Sequence, residues 1–281
     1  METEVQVMST LSTTAEQESK EWVEKLARFG YAVRGVVYLV VGGLAVQAAL
    51  GTGGATVGSK GALSWIVTEP YGKVLLGIVA LGLFSYALWR FVQAIFDPES
   101  KGSDTKGMIT RAAYFVLGFT HAGLGVAAVR LVTGAGSGSG SGSQEQWTAR
   151  LMSQPFGQWL VVLAGLIVIG AALYELYMAI SGKYEDRLKT SQMSAKETKV
   201  MRIVGRIGYL AHFVTIGLIG TFLVQAGLTY DPQKAGGLGE ALGTIQSEPY
   251  GPWLLGVVAI GLLSYGIFSF AVAKYRRIVV Q

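Results

Sequence analysis

The four residues Glu69-Pro70-Tyr71-Gly72, "EPYG", return unchanged as Glu248-Pro249-Tyr250-Gly251, and a near copy, "QPFG", stands at Gln154-Pro155-Phe156-Gly157. The surroundings repeat as well. "EPYGKVLLGIVALGLFSY" and "EPYGPWLLGVVAIGLLSY" agree at 13 of 18 positions. Upstream, "GYAVRGVVYLVVGGLAVQAAL" at 30–50 aligns with "GYLAHFVTIGLIGTFLVQAGL" at 208–228, and "AYFVLGFTHAGLGVAAV" at 113–129 is a more diverged copy. Three tandem copies of one module account for most of the chain.

Each module carries two apolar runs. Charged residues make up only 15% of the chain and mean hydropathy is +0.44, so the composition is that of a membrane protein. Runs such as "VLLGIVALGLFSYALW" approach the ~20 residues that span a bilayer as a helix. Six spans are expected, near 29–50, 72–96, 109–133, 156–181, 203–228 and 250–274.

Lysine and arginine gather on one side of these spans. They occupy the N-terminal segment (Lys20, Lys25, Arg28), the second loop (Lys101, Lys106, Arg111), the fourth loop (Lys183 to Arg206) and the tail (Lys274, Arg276, Arg277). Since positive loops stay cytoplasmic, both termini are expected inside. The resulting fold class is an all-α integral membrane protein with six transmembrane helices. They come from three parallel two-helix repeats related by a pseudo-threefold axis, unlike the inverted repeats of many transporters.

The chain divides into a polar segment 1–27, repeat 1 at 28–100, repeat 2 at 107–184, a basic loop 185–202 and repeat 3 at 203–277. The first segment holds no signal peptide. Thr13 and Glu16 have capping-box spacing, and Trp22, Leu26 and Phe29 share a face, so a short surface helix is expected there, with the residues before about 13 unstructured. The external loop of repeat 2, 134–143, is a Gly/Ser tract with flexible-linker composition.

The repeated phrase reads as an external corner. A short interfacial helix precedes each copy ("ALSWIVT", "QWTARLMS", "EALGTIQS"). Proline disfavours helix at Glu69, Gln154 and Glu248, and is tolerated in the first turn of the returning span. The aromatic suits the headgroup level, and glycine allows close backbone approach. A ring of Glu69 and Glu248 gathering cations at a mouth is the competing reading, weakened by Gln154.

Few ionisable residues lie within the spans, and each is a candidate site. Arg34 sits about 9 Å beyond Arg28 along the helix and has length enough to snorkel to the cytoplasmic surface. His212 takes its place in the third repeat and Leu117 in the second. Arg90 corresponds to Glu175 and Ser269, and an Arg90–Glu175 ion pair near the bundle axis is expected, as a packing element or a transport gate. His121 lies deeper, with Tyr114, Tyr174 and Tyr177 as expected neighbours. His121 and His212 differ in depth by about one turn, so a haem held by both is not expected. Small pairs (Ala45/Ala49, Gly118/Ala122, Gly123/Ala127, Gly217/Thr221) suggest a tight bundle.

The chain has no cysteine, which excludes disulfides and thiolate chemistry. No catalytic set, phosphate loop or metal motif is present, so no enzyme activity, cofactor or metal is expected. The basic residues flank spans, which argues for anionic lipid and against nucleic acid as their partner.

"R-x-G-Y…G-V-V-Y" followed by "G-A-L…E-P-Y-G…L-L-G-x-V-A-x-G-L" resembles the bacterial membrane proteins grouped as domain-of-unknown-function family 1206. The stretches that carry the likeness are Arg28 to Ala49 with Gly61 to Phe96, and Arg206 to Leu228 with Gly237 to Arg277. "QPFGQWLV" and "LYELYMAISGKYEDRL" fit a degenerate second unit. The resemblance implies a six-span protein of the bacterial inner membrane and brings no ligand or catalytic residue. Three function classes stay open: a small channel, carrier or solute-binding protein; a structural or accessory subunit of a larger membrane complex or homo-oligomer; and a sensor docking through its basic fourth loop.

Overall fold

The computed structural model describes residues 2–135 and 142–278. Its helices are α1 (Glu2–Ala49), α2 (Ser59–Thr68), α3 (Gly72–Phe96), α4 (Thr105–Thr133), α5 (Gly142–Met152), α6 (Gly157–Ser181), α7 (Ala195–Thr229), α8 (Leu238–Ser247) and α9 (Gly251–Tyr275). Six of them are long and apolar enough to cross a membrane, and the chain is a multipass membrane protein. Each module is a long helix, a short helix and a returning long helix. Arg28, Arg276 and the loops 97–104 and 182–194 lie at one end of the bundle (the terminal end), and the repeated phrases lie at the other (the corner end).

The N-terminal segment departs from the sequence pattern. α1 runs as one helix from Glu2 into the first span, so Thr13 and Glu16 lie within its backbone and start no helix. Most of the Gly/Ser tract, residues 136–141, lies outside the described residues.

The corner geometry recurs in all three copies. Gly72, Gly157 and Gly251 donate their backbone N–H to the carbonyls of Glu69, Gln154 and Glu248 at 2.8, 2.9 and 2.7 Å, closing four-residue turns. Proline holds the second position of each turn, before the returning helix begins and not within its first turn. Tyr71, Phe156 and Tyr250 hold the third with φ of 60°, 60° and 61°, a left-handed conformation that costs an ordinary residue about 1–2 kcal/mol. Their rings are 85%, 82% and 81% exposed, as suits side chains standing in an interfacial layer. The glycine is obligatory for a steric reason: a Cβ on Gly72 would come within 2.1 Å of the Ile66 carbonyl oxygen, and one on Gly157 within 1.9 Å of that of Leu151.

The dominant packing is between modules. α3 lies along α4, α6 along α7, and α9 returns to lie along α1. Three arginines at matching positions tie these junctions at the terminal end. Arg28 donates to the carbonyls of Ala273 and Lys274, Arg111 to those of Ala94 and Ile95, and Arg206 to that of Ala179.

Within modules the packing is unequal. α1 packs on α3 and α7 on α9, but α4 and α6 barely touch. Side-chain volume explains the difference. A Cβ on Gly30 would stand 2.6 Å from the Tyr86 backbone, and one on Gly208 2.7 Å from that of Tyr265. Likewise Gly82 receives Val33 and Gly261 receives Ala211. The second module has Ala113 and Ile167 at these two places, so its helices cannot close the same way. Of the small pairs singled out in the sequence, Gly118 does meet Phe91, whereas Gly123 faces open space and Gly217 has only an ordinary contact with Ala172.

The corner half of the bundle is a dry core. Val37, Val41 and Ala45 pack with Leu76, Val79 and Leu83, with Leu255, Ala259 and Leu262, and with Leu63, Ile66, Leu242 and Ile245 of the short helices. A buried leucine or valine contributes about 1.5–3 kcal/mol, so this core holds the first and third modules together.

Candidate functional site: an intramembrane arginine, tyrosine and histidine network

In the terminal half the core gives way to polar side chains from all six long helices. Arg34, from α1, donates from Nη1 to the Tyr86 hydroxyl at 3.0 Å and from Nη2 to the Tyr265 hydroxyl. Its guanidinium stands 4.8 Å from the Tyr265 ring centre and 5.7 Å from that of Tyr38. The arginine therefore does not snorkel to the surface. Two phenols and three aromatic faces replace the water it would find there.

His212, two modules away in sequence at the position matching Arg34, lies flat on the same Tyr265 ring, 4.3 Å between centres and 8° between planes. Its Nε2 is 2.7 Å from the Tyr38 hydroxyl. Nδ1 lies 3.6 Å from Glu175 Oε1, too long for a hydrogen bond. Glu175 Oε2 is buried with no donor among the described residues.

Tyr86 joins the second half of the network. Its hydroxyl also accepts from Arg90 Nη2, and the His121 ring packs 4.4 Å from its own. Arg90 continues through Gln93 (2.9 Å) to Glu99 (2.8 Å), where Arg276 from the chain end donates at 2.7 Å. Glu99 lies in the loop after α3. Burial works to raise its pKa, but the charge and hydrogen bond of Arg276, with Lys101 and Arg90 behind, prevail and bring it down to about 2.

All five intramembrane candidates thus belong to one network, but the pairing differs from the expected one. Arg90 and Glu175 do not pair. Arg90 turns toward the terminal end, among the rings of Tyr31, Tyr86 and Tyr114, and Glu175 meets His212 across the α6–α7 junction. The two residues sit at matching depths, yet α4 and α6 do not close, so α6 keeps its carboxylate on the α7 side. Tyr114 and Tyr174 are not partners of His121. Tyr114 lies under Arg90, and Tyr174 accepts from Arg187. His121 Nδ1 instead lies 2.8 Å from the Leu117 carbonyl oxygen. The corner residues Glu69, Pro70, Gln154, Pro155, Glu248 and Pro249 stay at the opposite end, apart from this network.

The residues that reading the sequence for charge passes over are the tyrosines. Tyr86 and Tyr265 are matching positions in the first and third modules, and Tyr31, Tyr114 and Tyr209 match in all three. That recurrence was the available signal.

Comparison with known proteins agrees with the modular plan. The sequence profile of the family described as Domain of Unknown Function (DUF1206) matches three times, at 29–97, 112–182 and 207–276. The chain is 32% identical over 261 residues to "Uncharacterized protein YxxB" of Bacillus subtilis (strain 168), covering 93% of this chain and 94% of that protein. No solved structure matches it.

Proposed function

The chain belongs to the DUF1206 family, and from that footing we propose that it is a solute-binding membrane protein working as a small carrier, with no catalytic activity of its own. Its place is the bacterial inner membrane, with both termini cytoplasmic and the three modules arranged about a pseudo-threefold axis. The lysine and arginine bias supports the orientation. The cyclic order of the junctions, α3 with α4, α6 with α7 and α9 with α1, supports the axis. The same bias makes anionic lipid the expected companion of the terminal end.

One observation carries the reading. Glu175 Oε2 and His212 Nδ1, on neighbouring side chains, are buried polar atoms that lack hydrogen-bond partners among the described residues; Arg90 Nε and Arg276 Nε share that lack farther along the network. Leaving such a group unsatisfied costs about 1–3 kcal/mol, more when charged, and a ligand that supplies the missing partner recovers it. The dry core at the corner end speaks against a permanently open channel. Proteoliposomes with an imposed solute or proton gradient test the reading. Protein-dependent movement that Glu175→Gln abolishes is expected, and flux no faster than in protein-free vesicles would refute it.

An accessory role is the alternative, supported by the continuous hydrogen-bonded chain Arg90–Gln93–Glu99–Arg276, which has the character of a packing element. It predicts a membrane-protein partner in fixed ratio after gentle solubilisation.

A further inference from the structure

The polar network has three conceivable approaches, and two are shut. Toward the corner end lies the dry core. Toward the terminal end, Leu188 and Arg276 form a small antiparallel bridge, Lys189 donates to the Tyr275 carbonyl at 2.7 Å, and Arg276 is locked onto Glu99. The remaining approach is sideways, between α4 and α6, where Ala113 and Ile167 replace the glycines that close the other two modules. Leu117 on α4 is 37% exposed and Ile167 on α6 is 63% exposed, so the walls of this gap are apolar and face the bilayer.

What waits behind the gap has charges of both signs. Arg34 donates to the phenols of Tyr86 and Tyr265 and, among the described residues, has no carboxylate within ion-pair distance. Glu175 keeps 20% of its side chain accessible, with one oxygen lacking any donor among those residues. His212 and Tyr38 link the two sites. A cationic head alone would answer Glu175 but face Arg34, and an anionic head alone would do the reverse. A head carrying an ammonium and a phosphate a few bonds apart answers both, and acyl chains suit the walls.

We propose that the gap between α4 and α6 is a lateral entry for a zwitterionic aminophospholipid, its phosphate directed to Arg34 and its ammonium to Glu175. This rests on the solute-binding reading above and names the class of solute.

The test uses the full chain in vesicles doped with phosphatidylethanolamine bearing a photoactivatable acyl chain, followed by mapping of labelled peptides. Labelling concentrated several-fold on the Leu117 and Ile167 stretches is expected. Unlabelled phosphatidylethanolamine should compete and phosphatidylglycerol should not. Glu175→Gln should lower labelling several-fold, and Leu117→Trp, which fills the gap and leaves every polar group in place, should do the same. Even labelling of all six spans, equal competition by phosphatidylglycerol, or labelling unmoved by both substitutions overturns the proposal. If labelling is even while a water-soluble solute still crosses proteoliposomes, lateral entry fails and the carrier reading stands.

Discussion

Arg28 donates from Nη1 to the carbonyl oxygens of both Ala273 and Lys274, at 2.7 Å each, so the first span grips the last by its unpaired C-terminal carbonyls. A guanidinium at a helix C-terminus also meets the negative end of the helix dipole. Arg28→Ala should therefore loosen the α1–α9 junction by about 1.5–3 kcal/mol, the range for hydrogen bonds with a charged partner. The expected result is a lower unfolding temperature in detergent, with hydrogen exchange rising first around 270–276. Unchanged protection there would count against the clamp.

Glu99 gives the protein an acid-sensitive joint. Its carboxyl is held at about 2, below the ordinary 4.5, so its stabilising effect is fully present above pH 4.5 and is lost as pH falls from there through about 2. The shift corresponds to roughly 3 kcal/mol at neutral pH. Glu99→Gln should remove this acid branch from the stability profile, and it should also destabilise at pH 7 because Arg276 is left buried without its anion. A titration of unfolding temperature from pH 7 to 3 in wild type and variant reads both effects.

The packing asymmetry makes a paired prediction. Gly30→Val forces side-chain atoms into the Tyr86 backbone and should cost about 1–3 kcal/mol or more, as overpacking does. Ala113→Val, at the matching position of the second module, should be nearly neutral because α4 and α6 leave room. Equal losses in thermal unfolding would show that the gap is closed in the bilayer.

The corners supply a gain. Tyr71→Gly relieves a left-handed residue and should stabilise the isolated turn by up to ~1–2 kcal/mol, at the expense of one interfacial ring. Gly72→Ala should do the opposite, since its methyl meets the Ile66 carbonyl at 2.1 Å. Detergent unfolding reads the backbone effect, and vesicle-reconstituted protein adds the loss of the ring.

The three-module plan was legible because it is written in recurring residues: the corner phrase marks where each returning helix starts, and α3, α6 and α9 begin at its glycine. The five intramembrane candidates were legible because charge within an apolar run is conspicuous. Their partners were not. Matching Arg90 to Glu175 by depth assumes that all modules close alike, and that assumption fails on the volumes of Ala113 and Ile167. The tyrosines look like ordinary apolar-run residues until an arginine from another module is found at their hydroxyls. Arg28, Arg111 and Arg206 were read for topology, yet each also stands three residues before a matching tyrosine, a regularity that topology alone does not require.

Because the tightest helix junctions join one module to the next, each two-helix hairpin finds its best partner on a neighbour, and the second has little to bury against itself. The first and last spans meet at Arg28 and the last turn of α9, so the break between first and last copies falls at a junction like the other two. New termini placed in the loop before α7, with the old ones joined, would leave every one of those junctions intact.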